Sequence, residues 1–472
     1  MFENPLSNDE ILQKVVLFED MLSEKSFTFF DVEDYENIID YYIDLEMHEK
    51  VNAALDLGLN QFPNDLTLSL IKVEVLNSKQ LVDDSYMLLK SLKQFYPNNI
   101  DVLYNLGKIY AITDRIQNAK IYFENAVDLI RVNDSYNDLL SDIAYEFLQI
   151  GQNLQAIHVM KRIVEIKPED ESTMMELGIA YHESGLIDEA IIYFTEIIDS
   201  NPYSHIAWFN LGTLHNVKED WKEALFAFDM CLVINEKFTA AHYGKANSYI
   251  QEKEYQNAID TFNESFNFDH PNSYAYCCLG ECYEKIGDFK KALIFYEKSL
   301  EIDDSQSDAW LGIGVVRDLN NQTLDALKFI EKAINLDPEN PEYWYIFAEF
   351  LSKLGKITEA EDAFKKVVEL DPANIDAWID YSNFLFDNSS KTKAIKEVER
   401  AITNNTNDTD LQLRLVAMQI SAGKIVDAKN GLVELQSAQK ISCEKLLDIY
   451  PEAKNIPEII NVINLYKNNN TI

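Results

Sequence analysis

Apolar positions return along this chain on two clocks. The short one is helical. In residues 205–238, Ile206, Phe209, Leu211 and Leu214 trace one stripe, and Ala224, Leu225, Phe228 and Leu232 trace a second at i, i+4 and i+7/i+8 spacing. Lys218-Glu219-Asp220 is a polar break between them. The long clock is 34 residues. Ala156, Ala190, Ala224, Ala258, Ala292, Ala326, Ala360, Ala394 and Ala428 are each 34 residues apart. Ala119 lies one such step plus three residues earlier, which places a three-residue insertion in the third repeat. Pro63 and Pro97, Pro168 and Pro202, and Pro338 and Pro372 keep the same step. Self-similarity at a fixed period predicts a repeat architecture.

Each period predicts a hairpin of two short helices. The breaks SGL (184–186), KIGD (285–288) and KLGK (353–356) carry a Gly that can end a helix in the left-handed conformation. In LDPEN (336–340) and LDPAN (370–374) the Pro stops a second helix and the Asn can cap the next first helix. A helix of about twelve residues is marginal alone in water. One hairpin cannot cover its own apolar stripe, so the hairpins must stack. Gly212 and Ala224 are expected where two helix axes approach closely. Trp208, Phe228, Trp310, Trp344, Phe364 and Trp378 are expected to fill the space between hairpins, each burial contributing roughly 2–3 kcal/mol. Ser7 to Glu10 reads as a capping box that opens a helix carrying Ile11, Leu12, Val15 and Phe18. Pro457 is expected to start a last helix with Ile459, Ile460, Ile463 and Leu465, and the tail KNNNTI to fray.

Composition narrows the chemistry. With 14 Gly and 11 Pro in 472 residues, the chain is too poor in turn formers for a loop-rich β protein. It has no run of eighteen or more apolar residues, and its acidic start, MFENPLSNDE, lacks the basic and apolar regions of a signal peptide. The expected compartment is the cytoplasm. Cys231, Cys277, Cys278, Cys282 and Cys443 are odd in number, and three share one predicted helix, which suits a reducing compartment. Cys278 and Cys282 are four apart on one helix face, but nothing nearby completes a tetrahedral metal set. They are expected to pack as small apolar residues. Eighty acidic side chains face 41 basic ones, a net charge of −39. That sign repels phosphate backbones and anionic membranes, so neither nucleic acid nor membrane is an expected partner. It serves solubility or the steering of a basic partner, and both readings stand. His182-Glu183 lacks the second His of a zinc-protease helix, Gly312-Ile313-Gly314 sits inside a predicted helix, and no G-x-S-x-G occurs. No catalytic residue, cofactor site or metal site is predicted.

The period and its residues resemble the tetratricopeptide repeat family. That family's motif has Trp, Leu, Gly and Tyr on the first helix, then Ala, Phe, Ala and Pro on the second. Residues 171–204 supply Leu177, Gly178, Tyr181, Ala190, Phe194 and Pro202; residues 307–340 supply Trp310, Gly314, Ala326, Ala333 and Pro338; residues 100–133 supply Leu106, Gly107, Tyr110, Ala119, Phe123 and Ala126. Ala348 and Ser382 replace the motif's Gly in two later repeats. The resemblance covers residues 32–442. It implies an all-α, right-handed superhelical solenoid of about twelve hairpins, with an N-terminal helical cap over 1–31 and a C-terminal capping helix and tail over 443–472. The repeats fall near 32–65, 66–99, 100–136, 137–170, 171–204, 205–238, 239–272, 273–306, 307–340, 341–374, 375–408 and 409–442.

By the same resemblance, the first helices line a concave wall along which a partner segment lies. The inner positions of the central repeats are Met175, Ile179, Ile206, Phe209, Asn210, Thr213, Tyr243, Asn247, Tyr274, Glu281, Tyr345, Glu349 and Asn383. These positions also suit packing between adjacent first helices, so each residue has two readings. Family members that clamp a chaperone's C-terminal carboxylate use Lys, Asn and Arg on successive first helices. Here Asn210 and Asn247 have no accompanying Lys/Arg set. Members that grip extended peptides carry Asn at the sixth position of nearly every repeat. Here Asn105 and Asn210 do, while Gly244, Gly312 and Ile346 do not. The expected function is a non-enzymatic scaffold or adaptor for a protein or peptide, with a basic or apolar-aromatic segment in the groove. The alternatives are a regulatory or chaperone-docking subunit of a separately encoded enzyme or chaperone, and a helical-repeat RNA binder, whose 35-residue period and basic groove are not seen.

Overall fold

The computed structural model describes residues 8–23, 28–131, 135–405, 408–437 and 445–469. Helices make up 80% of the structure and no strand occurs among the described residues, so the chain is all-α. Ser7, Cys443 and the last three residues of the tail lie outside the described residues, and with them the capping box expected at Ser7. The chain divides into two units, Met1–Ile234 and Asn235–Ile472. Nothing in the repeat pattern marks that division.

In the first unit, α1 (Asn8–Leu22) precedes a succession of helix pairs: α2 (Val32–Asp44) with α3 (His48–Gln61), α4 (Leu66–Ser78) with α5 (Val82–Phe95), α6 (Ile100–Ile112) with α7 (Ile116–Leu129), α8 (Leu139–Gln149) with α9 (Asn153–Ile166), α10 (Glu171–Glu183) with α11 (Ile187–Ser200), and α12 (His205–Val217) with α13 (Trp221–Ile234). The second unit continues with α14 (Thr239–Gln251) and α15 (Tyr255–Ser265), α16 (Ser273–Lys285) and α17 (Phe289–Ile302), α18 (Ser307–Leu319) and α19 (Thr323–Leu336), α20 (Pro341–Lys353) and α21 (Ile357–Leu370), α22 (Ile375–Asn388) and α23 (Lys391–Asn404), and α24 (Thr409–Ser421) and α25 (Ile425–Ser437). It ends with α26 (Lys445–Ile449) and α27 (Pro457–Asn469). Within each unit a second helix packs on the first helix of the next pair, as α11 does on α12 and α17 on α18. First helices also meet directly, at α10–α12 and α16–α18. This succession is a helical solenoid.

Local chemistry starts the two kinds of helix differently. Most first helices begin at a short polar side chain: Asp65, Asn99, Asp170, Ser204, Asn272, Asn374 and Asp408 each accept a backbone N–H three residues on. Asp31 and Asp34 form a reciprocal capping box at the start of α2. Most second helices instead follow a residue in the left-handed region; α23, entered through Ser389 and Ser390, does not. Gly185 takes that place at φ 69°, and Glu219 takes it at φ 62°. The polar break at 218–220 is thus the same turn as SGL, made without a glycine at a cost of about 1 kcal/mol.

The alanine ruler marks the core. All nine alanines from Ala156 to Ala428 are wholly buried. The role expected for Gly212 is corrected: what it admits is a ring, not a second helix axis. A Cβ at Gly212 would lie 2.7 Å from the ring of Phe228 on its own second helix, and one at Gly107 would lie 2.5 Å from Phe123. Phe228, Phe364 and Trp378 are buried, while Trp208, Trp310 and Trp344 are half-buried. Each of these four first-helix tryptophans donates its indole N–H to a carbonyl six residues back: Trp208 to Pro202 at 3.0 Å, Trp310 to Asp304 at 2.8 Å, Trp344 to Pro338 at 2.9 Å and Trp378 to Pro372 at 3.0 Å. The bond ties each ring to the turn before its helix. The full burial energy therefore applies to Trp378 and not to the other three. The buried clusters are local: one draws on α1 to α4, another on α4 to α7, and one joins α24 and α25 to α26 and α27 through Leu446, Ile459 and Val462.

Candidate functional site

Every inner-wall residue named from the sequence falls on a first helix, but their surroundings divide them. Ile206 and Asn210 are corrected: they are 2% and 4% exposed and face neighbours, not solvent. The Asn210 amide donates to the Met174 carbonyl at 2.9 Å, stitching α12 to α10. Its side chain fills the space that the missing side chain of Gly178 leaves. On the same unit Ile179 is 56% exposed, Met175 and Phe209 are half-buried, and Thr213 is exposed with its hydroxyl bonded to the Phe209 carbonyl. Phe209 leans on the core ring of Phe228 at 6.0 Å.

In the second unit, Tyr243, Asn247 and Tyr274 form a small amide-aromatic surface. Asn247 donates to the Tyr274 hydroxyl at 2.7 Å and the hydroxyl donates back to its carbonyl oxygen at 3.0 Å. The amide N–H supplies the proton of the first bond and the hydroxyl O–H that of the second, so the two bonds coexist. Tyr243 stands 6.3 Å from Tyr274 and 5.6 Å from Phe262. Further along, Tyr345 donates to Asp380 at 2.9 Å, Tyr343 donates to Asp308 at 2.5 Å, and Asn383 accepts from Arg414 at 2.8 Å. The absence of an inner Lys/Arg set is also corrected. Lys285, Lys353 and Arg414 occupy inner positions of α16, α20 and α24. They are engaged by the chain itself: Lys285 with Glu284 at 3.4 Å, Lys353 with Asp318 at 2.5 Å and Arg414 with Asn383.

The balance on these faces is acidic, and burial together with like charge raises several of their carboxyls. Desolvation pushes the Glu281 carboxyl above its usual range, and Glu284, Asp308 and Glu342 add to the rise against the opposing pull of Lys285. Glu349 rises for the same reason, with Asp380 and Asp318 outweighing neither water loss nor Lys353 alone but acting in the direction of the former. In the first unit Glu36, Asp40, Glu74 and Glu146 are raised as well, desolvation first, with Asp65, Asp40, Asp44 and Asp142 among the repelling neighbours. A carboxyl whose folded pKa lies above its unfolded one stabilises the fold below the unfolded value, and the contribution is lost as pH rises through the folded value. Glu19, Asp138 and Asp303 are lowered by Lys50, Lys167 and Ser305, so their contribution is lost only in stronger acid. The melting temperature is therefore expected to rise as pH falls from 7.5 to 5.5, and added salt at pH 7.5 is expected to recover part of that gain by screening. Thermal melts followed by circular dichroism check this; a steady fall on acidification contradicts it.

The cysteines behave as packing residues. Cys277, Cys278 and Cys282 are buried, and burial raises the Cys278 thiol to about 12. Among the described residues no group of three or more His, Cys, Asp or Glu is placed to hold a metal ion, and no helix is long and apolar enough to cross a membrane.

Parts of the chain are similar to known proteins. Family models described as tetratricopeptide repeat match residues 100–133, 141–205 and 348–409, and one described as anaphase-promoting complex, cyclosome, subunit 3 matches residues 287–367. A 136-residue segment, 28% of this chain, is 26% identical to BBSome complex member BBS4 of Bos taurus and spans 25% of that relative's length. Among solved structures, the APC/C hetero-tetramer Cut9-Hcn1 aligns at 14% identity and a TM-score of 0.45, covering 85% of this chain and 93% of that one. A tetratricopeptide repeat protein from Parabacteroides merdae ATCC 43184 aligns at 16% identity and a TM-score of 0.44, covering 53% of this chain and all but 1% of its own, a coverage of 99%.

Proposed function

Since the chain is a tetratricopeptide repeat protein, we propose that it is a non-enzymatic scaffold that holds a partner protein against the inner faces of its first helices. The observation that carries this reading is the acidic, aromatic face of the second unit. Its carboxyls at Glu281 and Glu349 are each repelled by neighbouring carboxylates and sit partly desolvated, with fewer cations than carboxylates at hand. A basic partner segment supplies the missing cations, and Tyr243, Tyr274 and Tyr345 offer contact area at low entropy cost. The sign of the charge argues against nucleic acid and anionic membrane as partners, and the composition supports a cytoplasmic setting.

A second reading is favoured by the matches themselves. The residues resembling anaphase-promoting complex, cyclosome, subunit 3, and the segment resembling a BBSome complex member, point to a fixed subunit of a larger assembly rather than a free adaptor. One experiment tests the inner-face reading. Phe209, Tyr243 and Tyr345 are changed together to Ala, and partners captured by the tagged full chain are quantified. The inner-face reading expects at least a tenfold loss of captured partner with helicity unchanged. Equal capture by the triple variant removes the inner faces from the binding surface.

A further inference from the structure

The outer face of the second helices in the first unit carries its own apolar register. Met87, Ile121, Ile192 and Phe226 occupy equivalent positions of α5, α7, α11 and α13, and all are exposed. Between α11 and α13 this face opens into a cleft of about 460 Å³, floored by Trp208 and Leu211, walled by Ile198 and Phe226, with Lys222 and Glu223 at the rim. Phe226 meets the Trp208 ring edge-on at 5.9 Å and is itself 59% exposed. The Trp208 indole is held in place by its bond to Pro202, so the aromatic pair is preformed.

Trp208 differs from its counterparts at the residue 22 places later, which is a cation in each of the other three repeats: Lys332 lies over Trp310 at 4.9 Å and Arg400 over Trp378 at 5.3 Å from the centroid, while Lys366 does not lie over the Trp344 ring. At Trp208 that place belongs to Met230, and among the described residues no Lys or Arg lies over this ring. Lys222 and His215 also line the cleft, but carboxylates outnumber them around it. Glu196 and Asp199 are exposed on α11 beside the lining residues Thr195 and Ile198, and Glu223 lines the cleft from α13. An aromatic face with an acidic rim attracts a cation, and the pair strengthens as water is excluded.

We propose that this cleft is a docking site for a Lys- or Arg-bearing amphipathic segment of a partner protein, its cation seated over Trp208 where Lys332 and Arg400 sit in their own repeats, and a neighbouring apolar side chain against Phe226. The site opens between the second helices α11 and α13 over Trp208 of α12, away from the inner-face residues, and does not depend on the inner-face reading. It would let one chain hold two partners, or two segments of one partner, at once.

The test uses the full chain labelled with 5-fluorotryptophan, whose Trp208 fluorine resonance is assigned with Trp208→Phe. The probes are a fourteen-residue amphipathic peptide of Leu and Lys and its Leu/Glu counterpart, at physiological salt. The Lys peptide is expected to shift the Trp208 resonance saturably and the Glu peptide to leave it in place. Met230→Lys gives the ring its own cation in a register that already tolerates one, and is expected to weaken the Lys peptide roughly tenfold. Phe226→Ala, at an exposed position, is expected to weaken it similarly, whereas the Phe209/Tyr243/Tyr345 variant keeps full binding. An unmoved Trp208 resonance, an equal shift with the Glu peptide, or undiminished binding by Met230→Lys and Phe226→Ala overturns the assignment.

Discussion

Trp378→Ala is expected to destabilise the second unit by roughly 3–5 kcal/mol, the range for emptying a buried aromatic site. Trp378 is 1% exposed, so nearly all of its surface is lost from contact. Three interactions go with it: packing against the cluster that includes Tyr343 and Phe364, the indole bond to Pro372, and the Arg400 guanidinium over its ring. Trp344→Ala removes the same indole bond but from a half-buried ring, so its cost is expected to be clearly smaller. Urea titrations followed by circular dichroism compare the two. Because repeats contact only their neighbours, hydrogen exchange in Trp378→Ala should accelerate in α20 to α24 and stay near wild type in α2 to α7. Equal losses for the two alanine variants would mean that burial is not what separates them.

Gly312→Ala is expected to cost roughly 1–3 kcal/mol, although the same change in an open helix gains stability. The ring of Tyr296 lies between Gly280 on α16 and Gly312 on α18. A Cβ at Gly280 would sit 2.6 Å from the ring, and one at Gly312 would fall inside its van der Waals envelope. The ring cannot retreat from one side without meeting the other, and its hydroxyl is tied to Glu284 at 2.9 Å. Gly431→Ala is the matched control. Its Cβ would find only Val416, at an ordinary 3.4 Å, so it is expected to stabilise by about 0.5–1 kcal/mol. Opposite signs for one chemical change, read from unfolding midpoints, are the result that supports the slot; two gains would show that Tyr296 yields.

The same slot shows which parts of the fold a sequence can carry. The 34-residue return of Ala156 to Ala428 was enough to place the helices in pairs, because each of these alanines is wholly buried on a second helix. The partner of each glycine was not legible. Gly212 faces Phe228 sixteen residues later, while Gly312 faces Tyr296 from the preceding repeat, and the motif is silent on which. The inner wall suffered similarly. Position within a hairpin says which helix a residue belongs to, but not whether the neighbouring first helix covers it. Asn210 is covered because Gly178 makes room and Met174 offers a carbonyl, a pairing 36 residues apart that no local pattern encodes. Lys285, Lys353 and Arg414 stood in the sequence at inner positions, and counting them there would have found them. The cleft beside Trp208 had a legible trace too: Met230 where the other tryptophan repeats carry Lys332, Lys366 and Arg400.

The recurring match of alanine, ring and small residue also governs how such a molecule can vary. Each pair offers the next the same kind of surface that it received. A whole hairpin added or removed leaves every survivor beside a familiar neighbour, whereas one residue gained inside a helix rotates all later side chains by about 100° and sets them against strangers. Length in this architecture is therefore revised by the paragraph and not by the letter.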